Sequence, residues 1–279
     1  MEVRFFGNYM QRLFTTAVVC AMLAASGPEN TSALQPNHAT GDTQIGRASR
    51  IQPLRDGFRF PYGETLHYEG EWRFINAGVA TLRIEHSGSQ DHIAATADSS
   101  GVVAMLYRVQ DRLNTYLDSS KLCSYKVVKH TEEGARQRET VVTYDYARGK
   151  AVLEERNLKD NQQKKTENDI PGCVTDIVSG ILYIASLPLH PSDTYIFPVN
   201  DGGKTVTAQA HVEAREEVKT PAGTFQTVRV GPEGDSGALL KNKGRIWIWY
   251  TDDNLHLPVQ MRAKLFWGTL TIYLASISK

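Results

Sequence analysis

Leu66-His67-Tyr68-Glu69-Gly70-Glu71-Trp72-Arg73-Phe74 alternates residue by residue: Leu66, Tyr68, Gly70, Trp72 and Phe74 fall on one face, His67, Glu69, Glu71 and Arg73 on the other. Successive side chains of extended backbone point to opposite sides, so a period of two marks a strand with one buried and one wet face. Asn76-Ala77-Gly78 offers a turn and Val79-Ala80-Thr81-Leu82-Arg83-Ile84 returns, which makes the stretch a hairpin. The same alternation recurs at about 91–98, 107–117, 121–131, 136–146 and 150–157, then at 194–199, 204–217, 224–231, 244–251, 257–266 and 268–276. A dozen strands with short Gly-, Asn- and Asp-rich links predict an all-β, mostly antiparallel domain, folded as a barrel, a sandwich or a rolled sheet.

One segment breaks the period. Val174, Ile177, Val178, Ile181, Leu182 and Ala185 recur at helical spacing between Pro171-Gly172 and Pro188, which predicts one principal α-helix over 174–186. Asp176 and Ser179 suit its first turn, where free backbone NH groups and the helix dipole favour a carboxylate. The helix lacks a basic face, so it is expected to plug or flank the sheet rather than lie on a membrane.

Around this domain the chain has 279 residues, with 31 Lys+Arg balanced by 31 Asp+Glu. A phosphate-reading domain carries a basic excess, so no nucleic-acid partner is expected. Arg4 and Arg12 precede the apolar run Leu13–Ala25, and Ser26-Gly27-Pro28 follows. That is the layout of a signal peptide over residues 1–26, and the run is short of the roughly 20 residues a spanning helix needs. Cys20 is not read as a lipid-modified cysteine, because Val19 precedes it and the apolar run continues beyond. Residues 27–57 read as a flexible polar leader and 58–279 as a single β-rich domain. The expected location is the periplasm, with no transmembrane span in the mature chain.

Export leaves Cys123 and Cys173. An even pair in an oxidising compartment predicts a disulfide, two free buried thiols being the alternative. Catalytic patterns fail on inspection. Gly234-Asp235-Ser236-Gly237 looks like a serine-protease nucleophile loop, but Ala238-Leu239 follows where that family has Gly and Pro, and no histidine stands in the required setting. The histidines show no metal-ligand spacing, and no metal or cofactor is implied. Glu132-Glu133, Glu154-Glu155 and Glu216-Glu217 place neighbours on opposite faces of strands and read as solvated edges. Asp252-Asp253-Asn254 reads as a hairpin turn and Lys159–Lys165 as a solvated loop. No catalytic residue is named.

Arg245-Ile246-Trp247-Ile248-Trp249-Tyr250 is apolar on both faces, so it is either deeply buried or lines a cavity. If a ligand pocket exists, Trp72, Trp247, Trp249 and Phe266 are its expected lining.

Five motifs in order resemble a family of bacterial exported proteins, domain of unknown function 3108. They are Phe60-Pro61-Tyr62-Gly63-Glu64 leading into Leu66-His67-Tyr68, then Asn76–Leu82, Asp176-Ile177-Val178-Ser179 with Leu182-Tyr183, Thr220-Pro221-Ala222-Gly223-Thr224-Phe225, and Ile248–Asp253 through Leu257-Pro258-Val259. The resemblance implies an envelope protein with a mostly β fold and no established activity. The fold expected is a rolled sheet or partly open β-barrel resembling envelope lipid-carrier folds. The function expected is a non-enzymatic binder of an apolar or amphipathic ligand: a lipid, a glycolipid or a lipoprotein acyl chain. The alternative is a structural or interaction module with a filled core and an envelope protein partner. An enzyme with a non-motif active site is the third reading.

Overall fold

The computed structural model describes residues 50–234, 245–265 and 268–279. In it the opening alternation becomes strand β1 (Thr65–Trp72), paired with β2 (Ile75–Ser87). The turn falls at Arg73-Phe74, both at positive φ, and not at Asn76-Ala77-Gly78, which lies inside β2. Gly78 serves close packing instead, since a Cβ there would collide with the carbonyl oxygen of Asp98. Phe74 therefore leaves the face it shared with Trp72 and stands 95% exposed.

The chain continues through β3 (Gln90–Ser99), α1 (Gly101–Leu106), β4 (Val109–Asp118), β5 (Ser124–Glu133), β6 (Arg136–Asp145), β7 (Lys150–Asn157) and β8 (Gln163–Asp169). Then come α2 (Ile177–Ala185), β9 (Thr194–Asn200), β10 (Thr205–Thr220), β11 (Gly223–Gly234), β12 (Arg245–Thr251), β13 (Pro258–Leu265) and β14 (Gly268–Ser278). The short helix α1 and the strand β8 were not foreseen. The charged residues of β8 are exposed or half-buried on both faces, so no buried stripe marks the strand; its start falls within the expected Lys159–Lys165 loop.

The described strands form one antiparallel sheet in the order β8-β7-β6-β5-β4-β3-β2-β1-β14-β13-β12-β11-β10-β9. Two meanders thus join where β1 pairs with β14, and β8 and β9, neighbours in sequence, are the two edges. The sheet is one ladder short of closure. Side chains span the gap instead: Asn200 Nδ2 at the end of β9 donates to Asn168 Oδ1 of β8 at 2.7 Å, and Thr205 Oγ1 at the start of β10 donates to the Asp169 carbonyl at 3.0 Å. Thr175 also pairs with Val199 of β9 in parallel. The free edge of β8 is rich in Lys, Glu and Asp, which discourages a further strand from adding.

Turns of the meander β1–β8 alternate between two ends of this roll. The helix end holds the chain from Pro171 to Asp193, including α2. All of α2 except Ile177 and Ile181 is buried. Asp176 caps it: Oδ1 accepts from the amides of Val178 and Ser179 at 3.0 and 3.3 Å, and Oδ2 accepts from Ser124 Oγ at 2.8 Å. Tyr250 Oη donates to the Ile181 carbonyl at 2.9 Å, and the Tyr183 ring meets Phe197 edge-on. His256 Nδ1 donates to the Ala185 carbonyl at 2.9 Å, and burial holds this histidine below its ordinary pKa. The Cys123–Cys173 disulfide ties the β4–β5 connection to the chain entering α2, with Cα atoms 5.1 Å apart. The polar leader expected to run to residue 57 is docked here from Ile51 onward, because Ile51 and Leu54 pack on the core and Tyr183 Oη accepts from the Gln52 amide at 2.9 Å.

The β10–β11 hairpin is longer than its neighbours. β11 pairs with β12 only over Thr227–Val230. Beyond that the hairpin crosses the outside of the sheet, where β10 touches β13 and β14 and the Ala222 amide donates to the Leu274 carbonyl at 3.2 Å.

Candidate functional site

β12 alternates as its sequence indicates, but the indoles point outward. Ile246, Ile248 and Tyr250 enter the core. Paired residues of neighbouring strands share a face. Trp72 pairs with Leu270, Leu270 with Ala263 and Ala263 with Ile246, so Trp72 lies on the inner face. Trp247 belongs to the outer row with Arg262, Thr271 and Glu71. The sheet itself stands between Trp72 and the pair Trp247 and Trp249, so these three do not share a pocket. Phe266, the fourth expected lining residue, lies outside the described residues.

Trp249 is 4% exposed, roofed by the crossing hairpin rather than by the core. Its Nε1 donates to Glu216 Oε1 at 2.7 Å, and the Arg262 guanidinium lies 5.2 Å from its ring centroid. Arg229 bridges Glu213 and Glu216 at 2.7 and 2.8 Å, and Arg245 reaches Glu213 at 2.8 Å while covering Trp247. Glu216-Glu217, expected as a solvated pair, thus sends one carboxylate into this layer. The alternating Arg, Glu and Trp side chains form a clasp that holds hairpin to sheet.

Two cavities bounded by described residues hold about 10 Å³, beside Lys129, Tyr144 and Asp176, and about 20 Å³, among Gly70, Gly78, Ala97 and Leu270. Each has room for about one water molecule.

The turn end differs. Its β1–β2 hairpin presents Phe74 at 95%, Ile75 at 46% and Val79 at 48% exposure, and α1 presents Val102 at 58%, Met105 at 86% and Leu106 at 59%. The two pieces are fastened together. The Ser100 amide donates to the Ala77 carbonyl at 3.1 Å, and Ser100 Oγ donates to Asn76 Oδ1. Val103 anchors α1 in the core, and the Gly134 amide donates to the Arg108 carbonyl at 2.8 Å. A Cβ on Gly134 would collide with the Tyr107 ring, so glycine permits this contact. Sequence reading missed this surface, because Phe74 fitted the buried face of β1 and α1 is too short to show a period.

On the inner face of β4 and β5, a few residues beyond α1, lie Asp111 and Glu133, 5% and 7% exposed. Asp111 Oδ1 accepts from the Glu132 amide at 3.0 Å, while Oδ2 is buried without a hydrogen bond among the described residues. Burial, with the neighbouring Glu133 charge second, pushes Asp111 from 3.8 to about 8. Burial pushes Glu133 from 4.5 to about 7 against the pull of Arg136 and Arg138. The Glu132-Glu133 pair was expected to be solvated: its two members do point to opposite faces, but Glu133 faces inward. Among the described residues no three His, Cys, Asp or Glu side chains are placed to hold a metal, and no helix is long and apolar enough to cross a membrane.

A comparison with curated proteins finds no match. Among solved structures, a β-barrel-like protein of domain of unknown function DUF1849 from Brucella abortus superposes with a TM-score of 0.54 at 12% identity, covering 83% of this chain and 99% of that one. At that identity the likeness shows the fold alone. A Bacteroides fragilis protein with a YmcC-like fold, described as a candidate exported protein, reaches a TM-score of 0.31 at 12% identity over 80% of this chain and 99% of its own. A candidate lipoprotein from Parabacteroides distasonis also stands at 0.31 and 12%, over 79% and 98%. The family model of DUF3108, described as a protein of unknown function, matches residues 66–275, and the chain belongs to that family.

Proposed function

We propose that this protein is an exported, non-enzymatic module of the cell envelope that docks on a partner through the apolar turn end of its roll. The observation that carries this reading is the cluster Phe74, Ile75, Val79, Val102, Met105 and Leu106 on two fastened pieces of chain. Contiguous exposed apolar surface costs hydration free energy and marks an interaction site in a folded chain. The signal-peptide layout of residues 1–26 supports export to the periplasm.

The carrier reading, with a lipid, glycolipid or acyl chain inside the roll, is less well supported. Neither of the two cavities bounded by described residues, at about 10 and 20 Å³, has the roughly 300 Å³ or more that a drug-sized ligand needs. α2 and its partners Tyr250 and Phe197 occupy the interior, and of the indoles expected to line a pocket Trp247 and Trp249 face outward while Trp72 faces inward. Native mass spectrometry of the protein purified from its own envelope separates the readings. Under the docking reading it flies without a lipid, both as wild type and as Trp249→Ala. In envelope extracts the wild type migrates in a complex that Phe74→Ser with Met105→Ser abolishes. A lipid carried by the purified wild type would restore the carrier.

A further inference from the structure

The occupant of the turn end follows from its shape and charge, and this step rests on the docking reading above. The exposed apolar side chains sit on a tight turn and on a six-residue helix. Phe74 and Met105 are 95% and 86% exposed, so these two tips project instead of lining a groove. A protein partner is matched by a packed, complementary core patch, whereas a bilayer accepts projecting side chains because its acyl chains rearrange around them. Cations flank the tips. Arg73 precedes Phe74 and lies over the Trp72 ring; Arg108 follows α1 and is exposed; Arg136 is exposed beside the Gly134 turn that holds Arg108. The acids of this region lie on the outer face of the sheet, behind the tips: Glu69 and Glu71 pair across from Val79 and Asn76, and Asp98 is ion-paired to Arg112 at 2.9 Å.

We propose that the turn end seats on an anionic phospholipid surface, with Phe74 and Met105 entering the acyl boundary and Arg73, Arg108 and Arg136 meeting the phosphates. Neither apolar side chain is held by the core, so both can be changed without unfolding the roll.

The test is sedimentation of the processed protein, purified from the envelope, with vesicles containing phosphatidylglycerol or made of phosphatidylcholine alone. The wild type is expected to sediment with phosphatidylglycerol vesicles, and Phe74→Ser with Met105→Ser to lower the bound fraction about tenfold at unchanged melting temperature. Arg108→Gln should weaken binding to the anionic vesicles and leave the residual binding to phosphatidylcholine alone. Equal sedimentation of wild type and double variant overturns the proposal, as does a wild type that stays in the supernatant. If the wild type stays in the supernatant while the double variant still loses its envelope complex, the partner is a protein and the docking reading survives. If neither vesicles nor complex respond, both fall.

Discussion

The two ends of the roll are made by the same strands and finished in opposite ways. At the helix end, α2 enters the interior with its polar ends satisfied: Asp176 takes the first amides, and carbonyls along it accept from Tyr250 and His256. The Cys123–Cys173 bond and residues 51–55 hold it from outside. At the turn end, six large apolar side chains stay in water, and two carboxyls, Asp111 and Glu133, are buried at a cost. The lesson is that the two ends differ in how far their groups are satisfied. One carries covalent, capping and packing interactions, while the other holds unsatisfied surface and unsatisfied charge. Strained and undersatisfied groups persist in folded chains where the rest of the structure outweighs them.

The strongest blow to the contrast is struck at the helix end. Replacing Cys123 and Cys173 with Ser opens a loop of 50 residues, and the chain-entropy model puts the loss at about 4 kcal/mol. Urea denaturation should show it as a lower midpoint, with a somewhat steeper slope because the uncrosslinked unfolded chain exposes more surface. A loss under half that size would mean that α2 is held by packing alone. Leu182→Ala removes a side chain only 3% exposed and should cost about 3 kcal/mol, read from the same denaturation curve.

At the turn end the signs change. A carboxyl whose pKa is higher folded than unfolded keeps its proton in the fold, so the folded state binds more protons between the two values. Stability is then full at low pH and falls as pH rises from near 4 towards the raised values of about 7 for Glu133 and about 8 for Asp111. Asp111→Asn cannot ionise, so it should be more stable than the wild type by about 2 kcal/mol near pH 8 and flatten the loss between about pH 5 and 8. Parallel curves for both proteins over that range would show that Asp111 titrates as an ordinary aspartate. The smallest effect belongs to Phe74→Ser, which should move stability by no more than about 0.5 kcal/mol, since the ring touches little. A larger loss would place Phe74 in the core and remove the contrast between the ends.

How far this division could be read in advance differs from residue to residue. The β1 alternation, the helix at 174–186 and the capping place of Asp176 were all legible, because each depends on spacing within one element. The pairing of Cys123 with Cys173 was legible only as a possibility, since it requires two distant backbones to meet. Trp249 shows where local reading stops. Its alternation with Ile248 and Tyr250 was plain, but both faces of the strand were apolar, and nothing in the pattern ranked them. The crossing β10–β11 hairpin buries the outer face as well, so Trp249 is buried without lining the interior. Glu133 was missed for the converse reason: a carboxylate is expected in water, and only the closing curve of β4 and β5 takes it inside. Phe74 was missed because the positive φ of Arg73 and Phe74 shortens β1 by two residues.

The sequence by itself determined an antiparallel β domain with one inserted helix and an even pair of cysteines that could be bridged. These follow from periodicity and composition, which act over a few residues and hold in any packing. Which face of each strand became the interior, which carboxyls lost their water and which apolar side chains kept theirs were decided only by the tertiary structure. Those outcomes depend on how the sheet curls, where the β10–β11 hairpin crosses and where α2 enters, and burial is a property of the assembled surface rather than of any local run of residues.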